Sequence, residues 1–252
     1  MRVLVVSPHY DDAPLSLGQS MLDGVLSGHT VTVGIVFGRS NYTRYFRPTR
    51  ARWPLATAIR LAEELRNARR FGYRLRLAGL QEVILRSGSG DTATFLSPDI
   101  DVTSVDVLPK VVELLRRWSG RYDQIVMPMG VGDHLDHRLV AEAGARLIAA
   151  GHRNISFYED RPYASWISDD EIEPTARRVD AELDRPIERR DMSGPTTTAK
   201  QTTIWYPSQF HPSFIDAMAG DITGRRREHV WVAPDAAWPP IEPLTEDRTE
   251  PT

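Results

Sequence analysis

The chain has 252 residues, 41% of them hydrophobic, which is enough to build one large core. A net charge of −3 without a basic block argues against nucleic-acid and membrane partners, and the absence of cysteine excludes disulfides and thiolate metal sites. No apolar run approaches the roughly 20 residues of a membrane-spanning helix, and the N-terminus does not resemble a signal peptide, so we expect a cytoplasmic protein.

Strands and helices alternate along the chain. Short runs rich in valine, isoleucine and leucine predict strands at 2–7, 30–37, 82–86, 124–129, 155–158 and 229–233. Apolar residues at helical spacing predict a helix that is capped by Asp11 or Asp12 and ends at Gly28, and further helices at 55–71, 102–118 and 136–150. This alternation is typical of an α/β fold, a Rossmann-like layered sandwich with a mostly parallel central sheet flanked by helices.

The remaining segments complete the predicted organisation. We expect a long loop at 38–54, an irregular segment at 184–198 and a partly helical one at 199–220. A single domain would then cover 1–237. The Pro-, Glu- and Thr-rich end, 238–252, is predicted to be disordered.

Two short clusters of histidine and aspartate follow two of the predicted strands. His9, Asp11 and Asp12 follow the first strand, and His134 and His137 follow the fourth. The carboxyl ends of parallel strands face one crevice, so the two clusters can meet there. Together they offer two imidazoles and one carboxylate for a metal ion, with further acids and a third imidazole for proton transfer. These are the side chains that a catalytic zinc site requires.

The spacing within each cluster fits one ion. His9 and Asp12, three residues apart at a strand-to-helix turn, can both point at it, while Asp11 projects from the same turn without having to bind. Asp133 is predicted to cap the later helix, which places the two histidines of the second cluster one turn apart on one face. The simpler alternative is that the first-cluster aspartates only cap a helix and that the histidines fill turns or lie on the surface. The presence of both clusters at strand ends favours a metal site.

Both clusters resemble signatures of the PIG-L/LmbE-like zinc-dependent N-deacetylases, the N-acetylglucosaminyl deacetylase-like family. The first signature is similar to residues 7–18, SPHYDDAPLSLG. The second, which ends in His-x-Asp-His, is similar to residues 127–137, MPMGVGDHLDH. Weaker agreement follows in Arg60-x-x-Glu63, in residues 158–163 (YEDRPY) and in Tyr206-x-Ser208-Gln209, so that the resemblance spans nearly the whole predicted domain.

The resemblance implies one zinc ion per chain with His9, Asp12 and His137 as its ligands. It also implies a general base, Asp11, which would activate the zinc-bound water that attacks the substrate.

Further roles follow from the same resemblance. His134 would stabilise the oxyanion or protonate the leaving amine, and Asp136 would orient it. Arg60, Tyr206 and Gln209 are candidates for substrate binding.

One departure from the family pattern affects the oxyanion. Some members have a catalytic tyrosine two residues before the first histidine of the second signature, where this chain has Gly132. The oxyanion would then depend on zinc and His134 alone, unless Tyr42, Tyr45 or Tyr206 reaches the site.

We therefore predict a zinc-dependent hydrolase that removes an acyl group, in the first place acetyl, from the amide nitrogen of a small substrate. An N-acetyl amino sugar or a glycosylated metabolite is the expected substrate, and homo-oligomerisation is left open. One alternative is an amidase of the same mechanism on a non-sugar amide, and another is a non-catalytic Rossmann-like protein that binds a metal or ligand. A Gly-x-Gly-x-x-Gly motif does not follow the first strand, which counts against a nicotinamide or flavin cofactor.

Overall fold

One mostly parallel sheet organises the chain. The computed structural model describes residues 1–91, 94–183, 186–194, 199–211, 213–215 and 227–239. Within them the strands are β1 (Arg2–Ser7), β2 (Thr30–Ile35), β3 (Arg74–Leu77), β4 (Gln124–Pro128), β5 (Ile155–Tyr158), β6 (Glu188–Asp191) and β7 (His229–Val232). Their order is β3-β2-β1-β4-β5-β7-β6. The first five strands of this order are parallel, and β7 is antiparallel to both β5 and β6, which confirms the predicted fold class.

Helices pack against both faces of the sheet. In the same residues they are α1 (Asp12–Asp23), α2 (Trp53–Phe71), α3 (Val83–Ser87), α4 (Leu108–Ser119), α5 (Leu135–Ala149), α6 (Asp169–Leu183) and α7 (Ala199–Thr203). One core layer contains buried residues of α4, α5 and α6, and the other contains those of α1 and α2. No helix in the described ranges is long and apolar enough to span a membrane.

The central strand β1 explains why the core has two layers. Leu4 and Val6 pack into the layer of α4 and α5, while Val3 and Val5 pack into the layer of α1 and α2. Successive side chains of a strand point to opposite faces, so a strand that is covered on both sides reads as a continuous apolar run.

The chain reverses its direction of winding between β1 and β4. From β1 the sheet grows through β2 to β3 on one side, and then continues through β4 on the other. In doubly wound sheets the crevice at the carboxyl ends of two such strands is the usual binding site. Both histidine–aspartate clusters lie there.

The predicted strand at 82–86 is wrong. Val83–Ser87 is the short helix α3, and it buries Val83 and Leu85 in the core. The strand of this region is Arg74–Leu77, whose Arg-Leu-Arg-Leu sequence lies at the edge of the sheet. Charged residues are common on edge strands because they hinder pairing with other chains, and here they hid the strand from a search for apolar runs.

Other boundaries also differ from the prediction. The helix predicted at 102–118 begins only at Leu108, with Pro109 in its first turn, and follows a short 3-10 turn at Val102–Ser104. The segment 184–198, predicted to be irregular, contains the polar strand Glu188–Asp191. Residues 240–252 of the predicted tail lie outside the described residues. So do 184–185 and 195–198 of the predicted irregular segment and 216–220 of the predicted partly helical one.

Helix α1 has a kink that two distant residues stabilise. Its backbone leaves helical geometry at Leu17 (φ −130°, ψ 16°), and the helix ends at Asp23, before the predicted Gly28. The Glu228 carboxylate accepts hydrogen bonds from the amides of Gln19 (2.9 Å) and Ser20 (2.7 Å). The Lys200 ammonium binds the same carboxylate at 2.6 Å and the Leu15 carbonyl at 3.1 Å. This buried ion pair satisfies backbone groups at the kink.

Candidate metal centre and active site

The turn after β1 presents its two aspartates to the crevice. Ser7 donates a hydrogen bond to the His9 carbonyl (2.6 Å) and accepts one from the Ala13 amide (3.1 Å). Asp11 is the N-cap residue of α1, one of the two predicted, but its side chain makes no capping hydrogen bond. The Asp12 carboxylate instead accepts a hydrogen bond from the backbone amide of His9 at 2.7 Å. The simple capping alternative therefore does not explain the two carboxylates.

The turn after β4 is built from left-handed backbone. Gly130 and Gly132 have φ of 85° and 81°, and Asp133 has φ of 57°. Asp133 was predicted to be the N-cap of α5, but the N-cap is His134. The left-handed conformation, which Asp tolerates better than most residues, turns the chain one residue later than the sequence pattern indicated.

His9, Asp12 and His137 converge on one point. Asp12 Oδ2 lies 3.3 Å from Nδ1 of His9, and Asp12 Oδ1 lies 3.4 Å from Nε2 of His137. One donor atom from each residue falls within 4.8 Å of the others, and all three side chains are buried. The structure thus brings together the three residues that the sequence nominated as ligands.

This group of donors suits a divalent cation. Burial lowers the pKa of His9, but Asp12 and Asp136 overcome that effect and raise it to about 9. The His9 and His137 rings in turn hold the pKa of Asp12 well below its ordinary value, although burial alone would raise it. The pocket therefore favours positive charge in a water-poor environment. Two imidazoles and one carboxylate are a zinc-type donor set that leaves room for a further ligand.

In both His9 and His137, the ring nitrogen that does not face Asp12 lies next to a second carboxylate. His9 Nε2 lies 3.0 Å from Asp136 Oδ2, and His137 Nδ1 lies 2.6 Å from Asp160 Oδ1. Carboxylate partners of this kind fix the tautomer and orientation of a metal-binding histidine and increase its basicity. Asp160 also accepts hydrogen bonds from the amides of Gly130 (2.7 Å) and Val131 (3.0 Å), which ties the ring to the turn after β4.

His9, His134 and Asp136 form a second group with donor atoms close enough for a metal. In this group the Asp136 oxygens already have partners, since Oδ1 binds Arg86 at 2.6 Å and Oδ2 accepts the Val83 amide at 2.8 Å. Asp136 is thus better placed to support His9 than to bind an ion. The group that contains Asp12 is the stronger candidate.

The position of Asp136 corrects one expectation. Its carboxylate was expected to orient the His134 ring, but it contacts His9 and Arg86. The hydrogen bond from Asp136 to His134 comes from the backbone amide, which donates to Nδ1 at 3.2 Å.

His134 accepts a backbone hydrogen bond that defines the tautomer of its neutral ring. Burial and the neighbouring His9 and His137 rings lower the pKa of His134 well below its ordinary value. Because Nδ1 accepts the Asp136 amide, the proton of the neutral ring must lie on Nε2. The ring centroid is 4.9 Å from that of His9 and 5.0 Å from that of His137, so this N–H donor lies at the edge of the metal pocket.

Asp11 lies beside the pocket but belongs to neither metal-binding group. Burial raises the pKa of the Asp11 carboxyl, the Arg60 guanidinium at 3.5 Å lowers it and the charge of Asp12 raises it, so that it stays above its ordinary value. A buried carboxyl with a raised pKa next to a metal pocket has the properties of a general base.

Comparison with known proteins identifies the family. No protein-family model matches the chain. It is 31% identical over 209 residues to a 2'-N-acetylparomamine deacetylase of Streptomyces fradiae, covering 82% of this chain and 73% of that protein. The chain belongs to the PIG-L/LmbE-like N-deacetylase family. A second 2'-N-acetylparomamine deacetylase, from Niallia circulans, is 28% identical over 185 residues and matches 64% of this chain and 66% of its own length. The protein is therefore a hydrolase of the N-deacetylase class.

Solved structures agree with this PIG-L/LmbE-like fold. A teicoplanin deacetylase in complex with teicoplanin superposes with a TM-score of 0.61 at 18% identity, over 94% of this chain and all of the other. The zinc-inhibited form of teicoplanin deacetylase gives 0.58 over the same shares at 18% identity. At this identity the similarity establishes the fold alone.

The three residues expected to bind substrate lie below the surface of this deacetylase fold. Arg60 is 4% exposed and is held by Glu82 at 3.0 Å. Tyr206 is 3% exposed, and its hydroxyl donates to Glu64 at 2.5 Å. Gln209 is 6% exposed. Arg60 and Tyr206 are engaged by interior glutamates, which favours support of the site over contact with a substrate.

In the described part of the chain, none of the three tyrosines considered as an additional donor forms a hydrogen bond with a residue of the metal pocket. Tyr42 and Tyr45 are exposed, at 39% and 57%, and the Tyr206 hydroxyl is already hydrogen-bonded in the interior. Sequence reasoning missed Asp160 and Arg86 as neighbours of the site. For Asp160 a weak signal existed, because it lies in the YEDRPY segment that resembles the family.

Proposed function

We propose that the protein is a zinc-dependent deacetylase that removes an acetyl group from the nitrogen of a small N-acetylated amino sugar. The proposal is carried by the convergence of His9, Asp12 and His137 on one point, with Asp11 and His134 at its edge. The amino-sugar class is supported by two relatives that are named as 2'-N-acetylparomamine deacetylases.

One zinc ion would be held by His9, Asp12 and His137. When bound, it supplies Lewis acidity, which lowers the pKa of a water molecule and polarises the amide carbonyl. Asp136 and Asp160 would keep the two imidazoles in the ligating orientation through the contacts of 3.0 Å and 2.6 Å.

Asp11 is the base of the proposed reaction. Its carboxylate takes a proton from water as the water oxygen forms a bond with the amide carbon. Arg60, 3.5 Å away, favours the ionised carboxylate that this step needs. Burial opposes ionisation, so the carboxylate is a stronger base than one in open solvent.

His134 donates a hydrogen bond to the developing oxyanion through its Nε2–H. As the carbon–nitrogen bond breaks, the amine nitrogen receives the proton held by Asp11, and acetate and the free amino sugar leave. A fixed neutral donor suits this role, because it stabilises the oxyanion without first having to acquire a proton. The backbone bond to Nδ1 is what fixes the donor.

The test measures amine release by zinc-loaded protein from three compounds: 2'-N-acetylparomamine, N-acetylglucosamine and an N-acetylated amino acid. We expect release from at least one of the two sugars. Asp11→Asn should keep its zinc and lose roughly a hundredfold or more in turnover, the usual scale for loss of a general base. This variant is also the control against a contaminating hydrolase, whose activity would not change.

Two results would contradict the proposal. Release from the amino acid alone would replace the sugar by a non-sugar amide as substrate. Near-normal turnover in Asp11→Asn with full zinc content would refute Asp11 as the base.

A further inference from the structure

Gly132 and Tyr163 are packed so closely that a side chain at position 132 would have to displace the tyrosine. Gly132 lies in the turn before α5 with φ of 81°. A Cβ atom built on it would lie 2.3 Å from Cγ of Tyr163 and 2.7 Å from its Cβ, far inside van der Waals contact. The tyrosine ring therefore fills the space beside the second histidine cluster, and the absence of a side chain at Gly132 makes room for it.

The Tyr163 ring is held in place on several sides. Tyr163 is the first residue of the short 3-10 turn Tyr163–Ser165, which follows β5 in the chain. The amide of the following residue, Ala164, donates to the Asp160 carbonyl at 2.9 Å. The ring meets the His137 imidazole edge to face, with centroids 5.9 Å apart and an interplanar angle of 83°. Tyr163 is thus anchored against a proposed metal ligand and the turn that carries His134.

Tyr163 is only partly buried, and its hydroxyl differs from those of three buried tyrosines. Those of Tyr73, Tyr158 and Tyr206 donate to Glu64, the Val6 carbonyl and Glu64 respectively. In the described part of the chain, no residue forms a hydrogen bond with the Tyr163 hydroxyl, so it is available to a bound ligand.

The Tyr163 ring lies beside the metal pocket. Its centroid is 5.9 Å from that of His137, whose Nε2 lies 3.4 Å from Asp12 Oδ1. A tyrosine hydroxyl keeps its proton at neutral pH, so it can donate a hydrogen bond there.

We propose that Tyr163 completes the active site by donating its hydroxyl hydrogen bond to the carbonyl oxygen of the scissile amide as that oxygen becomes an oxyanion. The inference rests on the proposed deacetylase function. The substrate oxygen would then have two protein donors, Tyr163 on one side and His134 on the other. Two donors from separate turns, each fixed by its own backbone contacts, form a preorganised oxyanion site.

The experiment compares zinc-loaded Tyr163→Phe with wild type and with Tyr45→Phe, which removes the same hydroxyl from an exposed ring. Phenylalanine keeps the packing on Gly132 and His137. In Tyr163→Phe we expect zinc content to be unchanged and kcat for deacetylation to fall about a hundredfold with little change in KM, as for loss of one oxyanion donor. Tyr45→Phe should behave like wild type.

A binding measurement provides a readout that does not depend on turnover. A phosphonamidate analogue of the substrate, whose tetrahedral phosphorus carries an anionic oxygen, should bind Tyr163→Phe more weakly by a factor similar to the loss in kcat. The deacetylated amino sugar should bind both proteins equally, because it has no such oxygen.

The two proposals can fail separately. If wild type hydrolyses none of the amides, the proposed deacetylase function fails, and the analogue still tests the hydroxyl. Equal affinity of Tyr163→Phe and wild type for the analogue, or no binding of it to wild type, would overturn the role of Tyr163. So would an unchanged kcat in Tyr163→Phe.

Discussion

Asp136 Oδ2 lies 3.0 Å from Nε2 of His9, although the two residues are 127 positions apart in the sequence. Asp160 has the same relationship to His137, at 2.6 Å. Each imidazole of the proposed zinc site thus has its own buried carboxylate, and each carboxylate is also hydrogen-bonded to a backbone amide of another segment. The orientation of the ligands depends on residues that do not themselves reach the ion.

Replacement of either supporting carboxylate should weaken metal binding. We expect Asp136→Asn and Asp160→Asn each to reduce zinc affinity about 10- to 100-fold, the usual effect of such partners. Zinc affinity can be measured by competition with a chelator of known affinity. Asp169→Asn, a partly exposed position on α6, is the control and should keep wild-type affinity. Unchanged affinity in both site variants would show that the carboxylates do not position the imidazoles.

Loss of a proposed ligand should have a stronger effect. His9→Ala, Asp12→Ala and His137→Ala should each purify with little zinc by elemental analysis, because a site with two remaining ligands binds zinc weakly. His211→Ala, at an exposed histidine, controls for loss of an imidazole elsewhere. Full zinc content in all three site variants would refute this group of ligands.

A methyl group at Gly132 should cost more stability than one at Gly72. Both glycines have left-handed backbones, with φ of 81° and 77°, so alanine is strained at each. At Gly132 the new Cβ would also collide with the Tyr163 ring. At Gly72 nothing lies within 4 Å of a Cβ. We expect about 1 kcal/mol of destabilisation for Gly72→Ala and a clearly larger loss for Gly132→Ala, measured by urea unfolding. Equal losses would mean that the turn can move away from Tyr163.

The buried Glu64 should make stability depend on pH. Burial raises its pKa from an ordinary value of 4.5 to about 8, although the hydroxyls of Tyr206 and Tyr73 lower it in part. Between these values the unfolded chain has lost the proton and the folded chain keeps it, so the contribution of Glu64 to stability falls as the pH rises from 4.5 to 8.

The corresponding variant is Glu64→Gln, which cannot ionise. The free energy of unfolding of Glu64→Gln minus that of wild type should increase between pH 4.5 and 8, by up to about 1.4 kcal/mol per pH unit. Glu173→Gln, at an exposed glutamate of α6, makes the same change of charge and should give a nearly constant difference. A constant difference for Glu64→Gln as well would contradict a raised pKa.

The sequence was sufficient to predict the two βα units that carry the site. The runs that became β1 and β4 are apolar because they are covered on both faces, and each leads directly into a histidine–aspartate cluster. Because the carboxyl ends of parallel strands lie at the same edge of a sheet, the order of strand and cluster also indicates where the two clusters meet. The pattern alone placed His9 and Asp12 at one ion, and the resemblance to the family signatures added His137 as the third ligand.

Contacts between distant segments could not be predicted. Arg86 and Asp160 approach the site from α3 and from the end of β5, and no local periodicity announces such partners. The left-handed turn at Asp133 moved the helix cap by one residue, and the Asp136 carboxylate contacts His9 and Arg86. Tyr163 was missed because its position depends on packing against a glycine 31 residues earlier in the printed sequence.

The Glu228 carboxylate at the kink of α1 has a consequence for biosynthesis. It binds the Gln19 amide across 209 positions of sequence. At a translation rate of about 5–20 residues per second, a ribosome would need roughly 10–40 s to make the intervening chain. During that time a nascent chain carries β1, His9 and Asp12 without the residue that stabilises the following helix in its native shape. The amino-terminal half of the metal site should therefore reach its final geometry only after nearly the whole chain has left the ribosome.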